Sequence, residues 1–116
     1  MPKVLVVDDE RSIRDVLRIF LEKKGFDVTC IDDGSKALSI IDSGEEYDII
    51  LLDNRMPGLK GFEVLEEMRK KQTDIPVILL TGSVGVNDDI PSTRAVLRKP
   101  IDLNTLIDTI NDILNG

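Results

Sequence analysis

Histidine is absent from this chain of 116 residues, as is tryptophan, and there is a single cysteine. Without imidazole there is no histidine general base, nucleophile or metal ligand. One thiol, Cys30, can neither close an internal disulfide nor build a cysteine cluster for zinc. Aromatic residues make up only 3% of the sequence, too few for the stacking platforms of single-strand nucleic-acid binders. Lysine and arginine number 15 against 22 acids, for a formal net charge of -7. A chain so acidic is not expected to bind nucleic acid directly, because duplex phosphates are held by clustered basic residues. No apolar run exceeds five residues, whereas a membrane span needs about 20. The opening also lacks the apolar core and small-residue cleavage site of a secretory signal. These absences lead to the expectation of a cytoplasmic protein without membrane contact. Chemistry falls to carboxylates, amines, hydroxyls or an oxygen-bound metal ion.

What is present is enough for a core. Hydrophobic residues make up 41% and charged residues 32%, so the chain can bury sufficient apolar area to offset its ordering entropy. The length predicts one domain over residues 1–116. Short apolar runs alternate with helical periodicities. Residues 4–7, 49–52 and 77–80 are apolar throughout, as strands covered on both faces are. Residues 26–31 alternate weakly, and 95–97 form a short fifth run. Ile13, Val16, Leu17, Phe20 and Leu21 make the stripe of a first helix, closed at Gly25. A second helix opens at Asp33-Gly34, carries Ala37, Leu38, Ile40 and Ile41, and closes at Ser43-Gly44. Phe62, Leu65 and Met68 line a third, which ends in the basic run Arg69-Lys70-Lys71. Leu103, Leu106, Ile107, Ile110, Ile113 and Leu114 stripe the last, with Asp102 as its cap. Between Thr81 and Lys99 the glycines, adjacent acids and Pro91 leave little stripe, so the helix there is expected to be weak or short. Strands alternating with helices predict βαβ units and an α/β fold with a parallel sheet.

In such a sheet, ligands bind outside the carboxyl ends of the strands. Asp8 and Asp9 end the first strand, Asp53 the third and Thr81 the fourth, while Lys99-Pro100 follows the fifth. Each has an ordinary use alone: Asp8, Asp9 or Thr81 as a helix cap, Lys99 as a solvated loop lysine. Together they describe one edge where three carboxylates repel each other. A hard divalent cation such as Mg2+ removes that cost. A hydroxyl and an ammonium at the same edge are groups that hold phosphoryl oxygens.

On the Asp8-Asp9 pair, Asp53 followed by Met56-Pro57 and Gly61, Thr81, and Lys99-Pro100, the sequence resembles the receiver domain of two-component response regulators over essentially its whole length. The resemblance implies a flavodoxin-like, doubly wound sheet of five parallel strands in the order 2-1-3-4-5. It implies that Asp53 is a phosphoacceptor and that Asp9 and Asp53 bind Mg2+ through their carboxylates. Asp8 would act mainly through water, and the backbone carbonyl of Arg55 would be a third protein ligand. Thr81 and Lys99 would grip the phosphoryl group. The donor would be a phosphohistidine on a histidine kinase or phosphotransfer protein docking near the first helix, and phosphorylation would switch the binding of a downstream protein or output domain. Enzymatic activity would extend no further than self-phosphorylation and self-dephosphorylation.

Four departures from the family pattern stand out. Gly82 takes the place of an alanine, Val96 that of a tyrosine or phenylalanine, and Ile101 that of a phenylalanine, while the stretch from Thr81 to Lys99 is a few residues short. They keep open a degenerate receiver that works by protein contact without phosphorylation. A phosphatase of the haloacid-dehalogenase type would want a second aspartate where Arg55 stands, and a flavodoxin a phosphate-cradling loop after the first strand. The Arg55 side chain is expected either to overhang the acceptor and modulate water access or to be a solvated arginine that lends only its carbonyl. Cys30 is expected to be a small buried hydrophobe, and Arg11, Arg14 and Arg18 to form a solvated face of the first helix.

Overall fold

The three wholly apolar runs occupy the middle of one sheet. The computed structural model describes residues 1–56, 59–82 and 93–116. In it β1 (Lys3–Val7), β2 (Asp27–Ile31), β3 (Ile49–Asp53), β4 (Val77–Thr81) and β5 (Ala95–Arg98) run parallel in the order β2-β1-β3-β4-β5. The order is the one expected. Four helices are described: α1 (Arg11–Lys23), α2 (Gly34–Asp42), α3 (Gly61–Lys70) and α4 (Leu103–Asn115). The weak helix anticipated between Thr81 and Lys99 falls on residues 83–92, outside the described residues.

Strand alternation sends side chains to two separate cores. Val4, Val6, Ile49, Leu51, Ile78 and Leu80 pack with Leu17 and Leu21 of α1 and Leu106 and Ile110 of α4. Leu5, Val7, Ile50, Leu52, Val77 and Leu79 pack on the other face with Ala37 of α2 and Val64, Leu65 and Met68 of α3. Covered on both faces, β3 and β4 are buried along their whole length, and β1 in all but its first residue. The edge strands β2 and β5 are only half-buried. Cys30 lies on that edge, so its thiol is half-buried, 3.9 Å from the Arg14 carbonyl, and not enclosed as expected.

Two stripe residues also miss the core. Val16 is 52% exposed and Phe62 is 53% exposed. Each sits one residue, about 100° of helix, from a position packed against the sheet: Leu17 in α1 and Gly61 in α3. The inner face of α3 is Gly61, Val64, Leu65 and Met68, a complete i, i+3, i+4, i+7 set.

The helix ends follow local chemistry. Asp33 caps α2 by accepting from the Lys36 N–H at 2.8 Å, and Asp102 caps α4 by accepting from the N–H groups of Asn104 and Thr105 at 2.9 and 3.1 Å. At the end of α1 Gly25 takes φ 93°. Its N–H donates to the Glu22 carbonyl and that of Phe26 to the Leu21 carbonyl, both at 3.1 Å, a Schellman closure with Phe26 and Leu21 packed in one core. Phe26 is thus spent on the cap, and β2 begins at Asp27. No helix among the described residues is long and apolar enough to cross a membrane.

Candidate functional site

Parallel pairing brings the strand ends level. Val7 pairs with Leu52, Asp53 with Leu80, and Thr81 with Arg98, so Asp8, Asp53, Thr81 and Lys99 meet at one edge. Among the described residues, Asp8, Asp53 and Thr81 are the only buried polar or charged ones. The Lys99 ammonium joins them. Its Nζ donates to Asp8 Oδ2 at 2.9 Å and lies 3.3 Å from Asp53 Oδ1, while its backbone N–H donates to the Thr81 carbonyl at 2.7 Å.

Asp8 is held from several sides. Its Oδ1 accepts from the Glu10 N–H at 2.9 Å, and its carbonyl accepts from Arg14 Nη1 at 2.7 Å. Arg14 is half-buried by this contact and so leaves the solvated face assigned to it. The N-cap of α1 is Glu10, and neither Asp8 nor Asp9 takes that position. Asp9 is exposed. Asp8, Asp9 and Glu10 each present a carboxylate oxygen within 4.8 Å of the others. This all-oxygen donor set suits a hard cation such as Mg2+. Glu10 is the residue that sequence reasoning passed over; its only signal was being the third acid in a row.

The β3–α3 connection fixes Asp53. The Asn54 N–H donates to the Leu80 carbonyl at 2.9 Å, and the Asn54 carbonyl accepts from the Gly61 N–H at 3.0 Å. A Cβ on Gly61 would come within 2.7 Å of the Asp53 carbonyl oxygen, so only glycine lets α3 start this close to the acid. The Arg55 N–H donates to Asp53 Oδ1 at 3.4 Å, and the Arg55 side chain is exposed. Met56 is buried in the α2–α3 core, whereas Pro57 lies outside the described residues.

Electrostatics follow from the crowding. Burial, then the Asp8 charge, raise the Asp53 pKa to about 6, against the pull of Lys99 and the Arg55 N–H. For Lys99 burial alone would lower the pKa, but Asp8 and Asp53 together outweigh it and raise it above its ordinary value. Lys99 is thus kept as an ammonium beside an Asp53 carboxyl whose ionised form is disfavoured by burial and by Asp8. Of the unusual residues, Val96 is half-buried against the α2–α3 core, and Ile101 against the α1–α4 core. Among the described residues, a Cβ on Gly82 would meet only Lys99 Cβ, at 3.9 Å.

The sequence matches the response regulator receiver domain family over residues 4–111. Solved structures agree with it. The Francisella response regulator 1452 receiver domain is 33% identical with a TM-score of 0.92, covering 99% of this chain and 98% of that one. TrrA from Thermotoga maritima, in complex with Mg2+-BeF, is 34% identical with a TM-score of 0.90, covering 98% of this chain and 100% of that one. TrrA in complex with the histidine kinase ThkA gives 34% identity and a TM-score of 0.87, covering 98% of this chain and 99% of that one.

Proposed function

The chain belongs to the response regulator receiver domain family, and from that premise we propose that Asp53 is its phosphoacceptor, with a phosphohistidine on a histidine kinase or phosphotransfer protein as donor. One observation carries the assignment. The buried polar residues converge on one sheet edge, where a lysine ammonium bridges two buried carboxylates. The complex of TrrA with a histidine kinase supports the choice of partner. These 116 residues hold no imidazole, which fits a donor histidine on a partner.

With a pKa of about 6, Asp53 is ionised at neutral pH and nucleophilic through its carboxylate oxygen. As the new O–P bond forms, the P–N bond of the donor breaks, and the departing imidazole keeps the electron pair. Transfers of this kind are catalysed by positioning and charge neutralisation more than by covalent chemistry. Lys99, already 3.3 Å from Asp53, meets the negative oxygens of the incoming group. Thr81, buried at the end of β4, offers the neighbouring hydroxyl. Asp8, Asp9, Asp53 and the Arg55 carbonyl would hold Mg2+, which supplies positive charge against the transferring oxygens. The Mg2+-BeF complex of TrrA supports that choice of ion. The phosphorylated form then alters the binding of a downstream protein or output domain.

The test is direct. Incubation with acetyl phosphate and Mg2+, followed by intact-mass measurement, is expected to show a gain of one phosphoryl group on the wild type and none on Asp53→Asn. An equal gain on both proteins would overturn the assignment.

A further inference from the structure

Lys99 is within reach of a third acid. Its Nζ stands 2.9 Å from Asp8 Oδ2, 3.3 Å from Asp53 Oδ1 and 3.8 Å from Glu10 Oε1. The first two acids are buried, whereas the Glu10 side chain is 58% exposed. Glu10 holds the N-cap position of α1, where serine, threonine, aspartate and asparagine are favoured because their short side chains reach the free N–H groups of the first turn. The Glu10 side chain makes no such bond. Its charge suits the positive end of the helix dipole, but it spends no hydrogen bond on the cap, and the Lys99 ammonium lies 3.8 Å away.

A divalent cation arriving at Asp8, Asp9 and Asp53 meets an ammonium already bonded to Asp8. The two positive charges repel, and the repulsion is larger in a partly desolvated cleft than in water. The ammonium therefore has to leave Asp8. Its backbone cannot follow, because the Lys99 N–H is tied to the Thr81 carbonyl at 2.7 Å; only the flexible side chain swings. Building on the site reading above, we propose that Glu10 is a positioning residue that receives the Lys99 ammonium released from Asp8 when the site is loaded, and so keeps it beside Asp53. Although its carboxylate also lies within 4.8 Å of those of Asp8 and Asp9, Glu10 then acts on cation binding through Lys99, and a double-variant cycle separates this role from that of a direct ligand. Without it the displaced ammonium has only Asp53, which the arriving cation also claims, and goes on competing for Asp8.

Titration calorimetry with Mg2+ on wild type, Glu10→Gln, Lys99→Met and the double variant tests this. A half-exposed ion pair is worth little, so Glu10→Gln is expected to weaken Mg2+ binding by a factor of about three. In the Lys99→Met background the same change is expected to have almost no effect. Equal weakening in both backgrounds would make Glu10 a ligand or a distant field source and overturn the proposal, as would no weakening in either. Should Lys99→Met fail to fold, the 13C signal of the Lys99 ε-methylene during Mg2+ titration gives the answer with the lysine kept. Wild type is expected to move to a new ordered position and Glu10→Gln to that of a free lysine, while identical end points would overturn the proposal. Failure of the wild type to bind Mg2+ at all would instead overturn the site reading and this inference with it.

Discussion

Asp53 shows how burial acts on a single group. Unfolded, its carboxyl would titrate near 3.9; folded, it does so at about 6, through burial first and the Asp8 charge second. Between those values the folded protein keeps a proton that the unfolded chain has lost. Stability from this group is therefore undiminished below about pH 4, falls as pH rises toward 6, and stays lost above. The cost at neutral pH is roughly 3 kcal/mol. Asp53→Asn is expected to be more stable than the wild type at pH 7 in metal-free buffer by up to that amount, and to lose the advantage by pH 4; urea melts at the two pH values check it. Asp8, Asp53, Thr81 and Lys99 were legible in the sequence because strand ends are easy to find and parallel pairing makes them level. Glu10 and Arg14 were not, because an acid in a turn and an arginine on a helix read as solvated. What singles them out is reach: one lies near Lys99 and the other bonds to the Asp8 carbonyl.

The elements carry their own stresses. The end of α3 repeats the closure seen after α1: the Thr73 N–H donates to the Met68 carbonyl and the Gln72 N–H to the Arg69 carbonyl, both at 3.1 Å. Here, however, the left-handed position belongs to Gln72, at φ 56°. A side chain in that conformation is strained, and glycine relieves the strain at some cost in unfolded-state entropy. Gln72→Gly is expected to raise stability by about 0.5 kcal/mol in thermal melts. Gly61 is the reverse case. Its Cβ would collide with backbone at the end of β3, 2.7 Å from the Asp53 carbonyl oxygen and 2.8 Å from Asn54 Cα. Gly61→Ala is expected to cost at least about 2 kcal/mol and to slow phosphorylation by acetyl phosphate, as read by intact mass. Periodicity located every described helix, but it spread the apolar stripe one residue too far at Val16 and Phe62. Hydrophobicity marks an arc of the helix, and only packing decides which end of the arc is covered.

At the scale of the molecule, the interior strands were legible because burial on both faces demands continuous apolar runs. Their order was not: periodicity cannot say which strands are neighbours, and the order came from the strand-end motif and its resemblance. With the order β2-β1-β3-β4-β5, the sheet stands as a wall between two apolar layers that share no side chain among the described residues. Ile50 belongs to the layer under α2 and α3, and Ile110 to the layer under α1 and α4. Each isoleucine-to-valine change costs about 1 kcal/mol. For Ile50→Val with Ile110→Val, the double variant is expected to lose the sum of the two within about 0.5 kcal/mol in urea denaturation. Thermodynamic independence of this kind lets sequence drift proceed separately on the two sides of the wall. A repacking beneath one pair of helices leaves the residues beneath the other pair free to change on their own schedule.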